Sequence, residues 1–409
     1  MSPITRQVIL INAAHLFTHY SLLILATATL AMVQQDPARF GTDYGPLIAI
    51  GTGMFVAYGL LALPMGWLQD RLGRKALMVA YFLGSGAGMV LAGTAGSGFM
   101  LGVWLGVMGA FSAIYHPIGT AIIVESAGAR VGRAVGINGV FGNLGVALAP
   151  LATGIIAWKL GWQWAFIIPG LLCMACGLVY LREPAFDGSK VKGSKPFPPI
   201  PPALVRRAVI VLMLIAMVSG LVFNAFTLLI PKLMEERLTG SPDLLPVVAM
   251  LAFLVTICGG ITQFTVGNLI DRYTLKSVFM PLAFALVPCL LALSFLEGWL
   301  VLPFAAVVAA AIFGQVTVNE TMTARYVAPE LRAKLYSVRF TVGFMGAAVA
   351  SPLVGLLHQA SGSLALGMIV LAVVAAITLA CALAFPNRPE ELAPERWAGA
   401  PEWGVRPAE

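Results

Sequence analysis

The stretch that decides the reading is GWLQDRLGRK, Gly66–Lys75. Asp70, Arg71, Arg74 and Lys75 fall within six consecutive positions, although only 11% of the chain is Asp, Glu, Lys or Arg. Long apolar runs flank it on both sides. A knot of charge between oily segments reads as a short loop at a membrane surface, where water and headgroups solvate what the bilayer core rejects.

Working outward, the composition agrees. The chain has 409 residues, 59% of them hydrophobic, and a mean hydropathy of +0.90. A soluble domain carries roughly 25% charged residues, so a water-soluble globule is excluded. A spanning helix needs about 20 mostly apolar residues. Twelve runs qualify, at 8–31, 46–65, 76–95, 98–124, 134–157, 164–181, 207–231, 244–267, 277–296, 299–324, 335–357 and 363–385. The first is too long for the apolar core of a cleaved signal and is read as a spanning helix. All five cysteines lie in apolar runs. Cys173 and Cys176 form a CxxC with no second ligand pair, so they are read as packing.

Basic residues set the orientation. With the N-terminus on the inside, twenty Lys and Arg fall in inner loops and tails and four in outer loops. That asymmetry predicts both termini cytoplasmic. The net charge of +7 then reflects topology and gives no reason to expect nucleic acid.

The longest polar interruption, rich in Lys, Gly, Ser and Pro, is read as a cytoplasmic linker over 182–206. It separates 1–181 from 207–385, six runs each, and a polar tail follows at 386–409. The opening motif recurs as GNLIDRYTLK, Gly267–Lys276, with Asp271 and Arg272 each 201 residues after Asp70 and Arg71. FGNLGVALAPLATG (141–154) is echoed by VGFMGAAVASPLVG (342–355), and Gly142, Gly145 and Gly154 pair with Gly343, Gly346 and Gly355 at the same spacing of 201. A shared offset across two motifs is an internal duplication. It predicts two pseudo-symmetric six-helix bundles around a central path.

At these residues the chain resembles the major facilitator superfamily, over nearly its whole length. Gly66–Lys75 matches the superfamily's G-x-L-x-D-R-x-G-R-K signature between helices 2 and 3 at every fixed position. The resemblance implies an all-α fold of twelve transmembrane helices and alternating access. It also implies a cytoplasmic gate built from Gly66, Asp70, Arg71, Gly73, Arg74 and Lys75, with Gly267, Asp271, Arg272 and Lys276 as the second copy. In that gate Asp70 faces the start of helix 11 and Asp271 the start of helix 5. Gly66 and Gly73 are expected to permit sharp turns, and the glycines of the fifth run to permit close helix packing.

Polar groups within a bilayer are costly and usually functional. The first run holds Asn12, His15 and His19 on one helical face. The fourth holds Tyr115 and His116 just before Pro117, which removes a backbone hydrogen bond and kinks the helix. Asn224 lies in the seventh run, Asn319 and Glu320 in the tenth, and Arg339 in the eleventh. The superfamily resemblance places helices 1, 4, 7 and 10 around the cavity. Imidazoles titrate near pH 6.5, so His15, His19 and His116 are candidates for carrying protons or binding an anion. Glu320 and Arg339 are read either as a buried pair or as part of the transport path. His358, near the outer end of the eleventh run, is read as interfacial. Tyr115-His116-Pro117 also resembles a motif of the fosmidomycin-resistance branch, with Ile118 where that branch has an acid.

The function these features imply is secondary active transport across the inner (plasma) membrane, as proton-coupled export of a small anionic or amphiphilic compound. Proton-coupled uptake of an organic acid is the alternative. The expected partners are substrate, protons and lipid, with the chain a monomer. No cofactor or metal is expected, since the histidines lack the spacing of H-E-x-x-H and no nucleotide-binding loop is present. A transporter-like membrane sensor, or a metal-dependent membrane enzyme using the histidines, is the rival reading.

Overall fold

The computed structural model describes residues 3–126, 131–185, 202–239, 244–270, 273–326, 329–385 and 387. Most of the expected linker and tail lies outside them, as do Asp271 and Arg272 of the second motif copy. Among the described residues, twelve helices are long and apolar enough to cross a membrane. They are α1 (Thr5–Gln35), α2 (Tyr44–Leu61), α3 (Arg74–Gly93), α4 (Gly98–Ile123), α5 (Gly136–Leu160), α6 (Trp162–Arg182), α7 (Val209–Leu238), α8 (Leu245–Ile270), α9 (Leu275–Phe295), α10 (Gly298–Met322), α11 (Val338–Ser361) and α12 (Ala365–Ala384). Among the described residues there is no strand. With no water in the bilayer core, helices are how such a chain keeps its backbone hydrogen bonds satisfied.

Helix pairing repeats between the halves. In the first, α1 packs on α5, α2 on α4, and α3 on α4 and α6; in the second, α7 packs on α11, α8 on α10, and α9 on α10 and α12. The contacts between halves, α2 with α11 and α5 with α8, exchange under the same relation. Glycines show the duplication at atomic scale. A Cβ on Gly145 would lie 2.2 Å from the Leu16 carbonyl oxygen, and one on Gly346 would lie 2.9 Å from that of Met217. Both glycine and carbonyl are displaced by the offset of 201 seen in the sequence.

Two spans are interrupted. α4 consists of the helices Gly98–Ser112 and Tyr115–Ser126. The break sits where Pro117 has no N–H to offer the Ala113 carbonyl. α2 breaks at Ile50 and Gly51. The signature loop is itself mostly helical: Met65–Leu72 forms a short helix that ends at Gly73, with φ 79°. Gly73 makes the sharp turn, as expected. Gly66 does not, because it lies inside that helix.

Beyond α6 the chain re-enters a helix at Pro202, earlier than the run at 207 suggests. Proline's fixed φ suits a first helical turn. At the face bearing Arg6, Arg71 and Arg74, the basic face, Arg6 pairs with Glu183 at 2.8 Å and ties the start of α1 to the end of α6.

The halves close together at the opposite face. The Ser351 hydroxyl donates to the Ile48 carbonyl at 2.7 Å, and the Tyr44 hydroxyl donates to that of Leu228 at 3.3 Å. Gly45 lies against Gly355, where a Cβ on Gly45 would sit 2.5 Å from the Gly355 oxygen. His358 joins this seam: its Nε2 is 3.7 Å from Glu236 Oε2, and its ring lies 5.5 Å from that of Tyr44.

Candidate functional site

The break in α4 turns Tyr115 and His116 toward α1, and three of the four histidines meet there. His15 stacks on Tyr115 with ring centroids 4.8 Å apart. His15 and His19 lie 4.9 Å apart, and His116 is 5.3 Å from His15 and 5.5 Å from His19. His15 Nδ1 is 2.6 Å from the Asn138 carbonyl oxygen. A carbonyl only accepts, so Nδ1 carries the proton and the Nε2 of neutral His15 presents a lone pair. His19 Nε2 lies 3.1 Å from it and is placed to donate. The Nε2 of His116 is buried and, among the described residues, has no hydrogen-bond partner.

Asn138, on α5, organises this cluster. Its Nδ2 donates to Asn12 Oδ1 at 2.9 Å and to the Tyr115 hydroxyl at 2.8 Å, and its Oδ1 lies 3.1 Å from that hydroxyl. Gly142, one turn farther along α5, makes room: a Cβ there would lie 2.5 Å from His15 Cε1. Tyr81, whose ring lies 5.9 Å from that of Tyr115, donates its hydroxyl to the Ala14 carbonyl at 2.6 Å. The structure therefore brings Asn12, His15 and His19, from one face of α1, together with Tyr115 and His116 in one polar cluster. Asn138 was missed, though it stands 201 residues before Arg339, so the duplication offered a signal.

The second half contributes a smaller polar group. Arg339 is buried and pairs with Glu320, whose side chain is half exposed. Asn319, next to Glu320 in sequence, is buried. Between the two groups lies an aromatic bridge across the halves: His116 to Phe340 at 4.5 Å, Phe340 to Phe344 at 4.5 Å, and Phe344 to Tyr58 at 4.5 Å. Asn224 stands apart, donating to the Gly220 carbonyl of its own helix at 2.7 Å. Its amide thus satisfies backbone instead of joining the imidazoles.

In the signature, Arg71 stacks over Trp67 at 3.8 Å, and Arg74 Nε donates to Gln69 Oε1 at 3.1 Å. Lys276 donates to the Leu383 carbonyl at 2.6 Å. Asp70 is exposed and, among the described residues, has no ion-pair partner. The side chains it was expected to face, at the start of the helix Pro329–Ser361, lie outside the described set. A further small cavity, with room for about one water (≈ 10 Å³), lies between the halves beside Thr27, Pro150, Thr227 and Thr256.

Several known proteins are similar over part of the chain. A probable hexose phosphate transport protein of Chlamydia pneumoniae is 27% identical over 147 residues, 36% of this chain and 32% of that protein. A probable sulfoacetate transporter, SauU, of Cupriavidus necator is 32% identical over 30% of this chain and 29% of its own length. A multidrug resistance protein B homolog of Mycobacterium tuberculosis is 26% identical over 36% and 28%. The chain thus spans less than a third of the length of each of these relatives. Solved structures match far more fully in fold. A bacterial homolog of the human lysosomal transporter Spinster superposes with a TM-score of 0.74 at 14% identity, covering 94% of this chain and 98% of that one. The nucleoside transporter NupG gives 0.71 at 13% identity, covering 94% and 99%. The family model described as Major Facilitator Superfamily matches residues 9–314 and again 212–404, the second match opening within α7. With its twelve helices, its repeated pairing and this match over most of its length, the chain belongs to the Major Facilitator Superfamily.

Proposed function

We propose that this protein is a secondary active transporter, not an enzyme, and that it moves a small anionic or amphiphilic compound outward in exchange for protons. The observation that carries the reading is the histidine cluster. Three imidazoles from two membrane-spanning helices meet in the interior, and one of them, His116, touches the other half through Phe340. Polar groups at that depth are expensive. Imidazoles can take and release a proton in the physiological range, and helices at the seam between halves change their surroundings as the halves rock. An anionic cargo is supported by the relatives named for hexose phosphate and sulfoacetate, and by the buried guanidinium of Arg339 across the bridge. Export is supported by those named for drug resistance.

On this reading residues 1–181 and 207–385 are the two moving bundles, 182–206 is the linker, and the basic face is cytoplasmic. The membrane is the inner one, and a monomer suffices because its two halves complete the path. The signature around Asp70 acts as the gate on the basic face.

The test uses inverted membrane vesicles holding the protein, with an acid-inside gradient established before addition of sugar phosphates, sulfonates, simple organic acids and fosmidomycin. A compound-dependent collapse of the gradient, absent from control vesicles, is the expected result. A compound that is transported at the same rate with and without the gradient contradicts proton coupling.

A further inference from the structure

The histidines of α1 and α4 lie close enough together to share one ligand. Their ligating nitrogens all lie within 4.8 Å of one another. His15 Nε2 and His19 Nε2 are 3.1 Å apart, close to the separation of about 3.3 Å between two nitrogens on one tetrahedral ion. His15 is already oriented as a metal-bound histidine is, with Nδ1 donating to a backbone carbonyl and Nε2 left free. His116 brings a third nitrogen that is buried and, among the described residues, unpartnered. Leaving such a group unsatisfied is costly, and a ligand-bound state removes the cost.

We propose that His15, His19 and His116 bind one late first-row transition-metal ion of the Zn2+ or Co2+ type through three neutral imidazole nitrogens. His19 then carries its proton on Nδ1, and His116 Nε2 swings inward by side-chain rotation. Imidazole nitrogens suit these ions, whereas Mg2+ and Ca2+ demand oxygen. Three protein ligands leave a fourth position open, as in zinc sites that bind water or substrate. Among the described residues the cluster contains no carboxylate, so the ion keeps its full charge and favours an anionic oxygen in that fourth place. The inference is separable from transport, because binding is read at equilibrium without a gradient or flux.

The experiment titrates the full-length, tag-free protein in detergent with Co2+ and then with Zn2+. One equivalent of Co2+ should bind, with the intense visible absorption of a four-coordinate ion, and Zn2+ should abolish that absorption. His15→Gln and His116→Gln should weaken binding at least about tenfold, and His358→Gln should leave it unchanged. A weak six-coordinate spectrum, no saturable binding, or affinity unaltered in folded His116→Gln would each overturn the proposal. The spectrum of the native protein decides the matter even where a variant does not fold.

Discussion

Gly142 has no side chain because the His15 ring occupies the place one would take. A Cβ 2.5 Å from His15 Cε1 forces that ring off Asn138 and away from His19. Gly142→Ala should therefore lower stability by about 1–3 kcal/mol, the usual cost of overpacking, and depress transport more than its loss of melting temperature accounts for. Asn138→Ala strips a partner from both Asn12 and Tyr115, groups that are buried. Its expected cost is about 1–3 kcal/mol, measured as a shift in thermal unfolding. At this scale the sequence was legible where chemistry is expensive: Asn12, His15, His19 and His116 stood out as polar residues in apolar runs. It was silent on partners. Nothing in the local pattern of α5 distinguishes Asn138, which bonds three residues of the site, from Asn224 on α7, which bonds only its own helix. Hydrogen-bond partners depend on how helices are rotated against each other, and periodicity does not encode that rotation.

Among elements, α5 separates glycines that are needed from glycines that are not. A Cβ on Gly145 meets the backbone of α1 at 2.2 Å, whereas one on Gly136 or Gly139 meets nothing within 4 Å. Gly145→Ala should lower the melting temperature clearly, and Gly136→Ala should leave it unchanged or raise it slightly, since alanine is the better helix former. Comparable losses in both would remove the packing account of this helix. Helix positions were readable within a few residues because hydrophobic length is a direct consequence of bilayer thickness. The exceptions have causes. The run ending at Pro231 suggested a stop there, yet α7 continues through it to Leu238. Neighbouring helices let membrane helices absorb an internal proline. The break before Pro117 was foreseen from the missing N–H, whereas the break at Ile50 and Gly51 contains no proline and left no comparable mark.

For the whole molecule, the duplication was the most legible feature, since one offset relates the signature copies, the glycine motifs and the α1/α5 and α7/α11 contacts. Which faces of the halves touch was not legible, because the seam is built from small residues and backbone atoms such as Gly45, Gly355 and the Ile48 carbonyl. The gate role of Asp70 belongs to this scale. Asp70→Asn should slow turnover severalfold while substrate binding stays intact, and normal turnover would leave the motif with a topological role alone. The most direct test of the account compares wild-type protein with His116→Ala in the inverted vesicles, at matched levels of folded protein. Substrate-driven collapse of the pH gradient should be present in the first and absent in the second. Full coupled activity in His116→Ala would contradict the assignment of coupling to the histidine cluster.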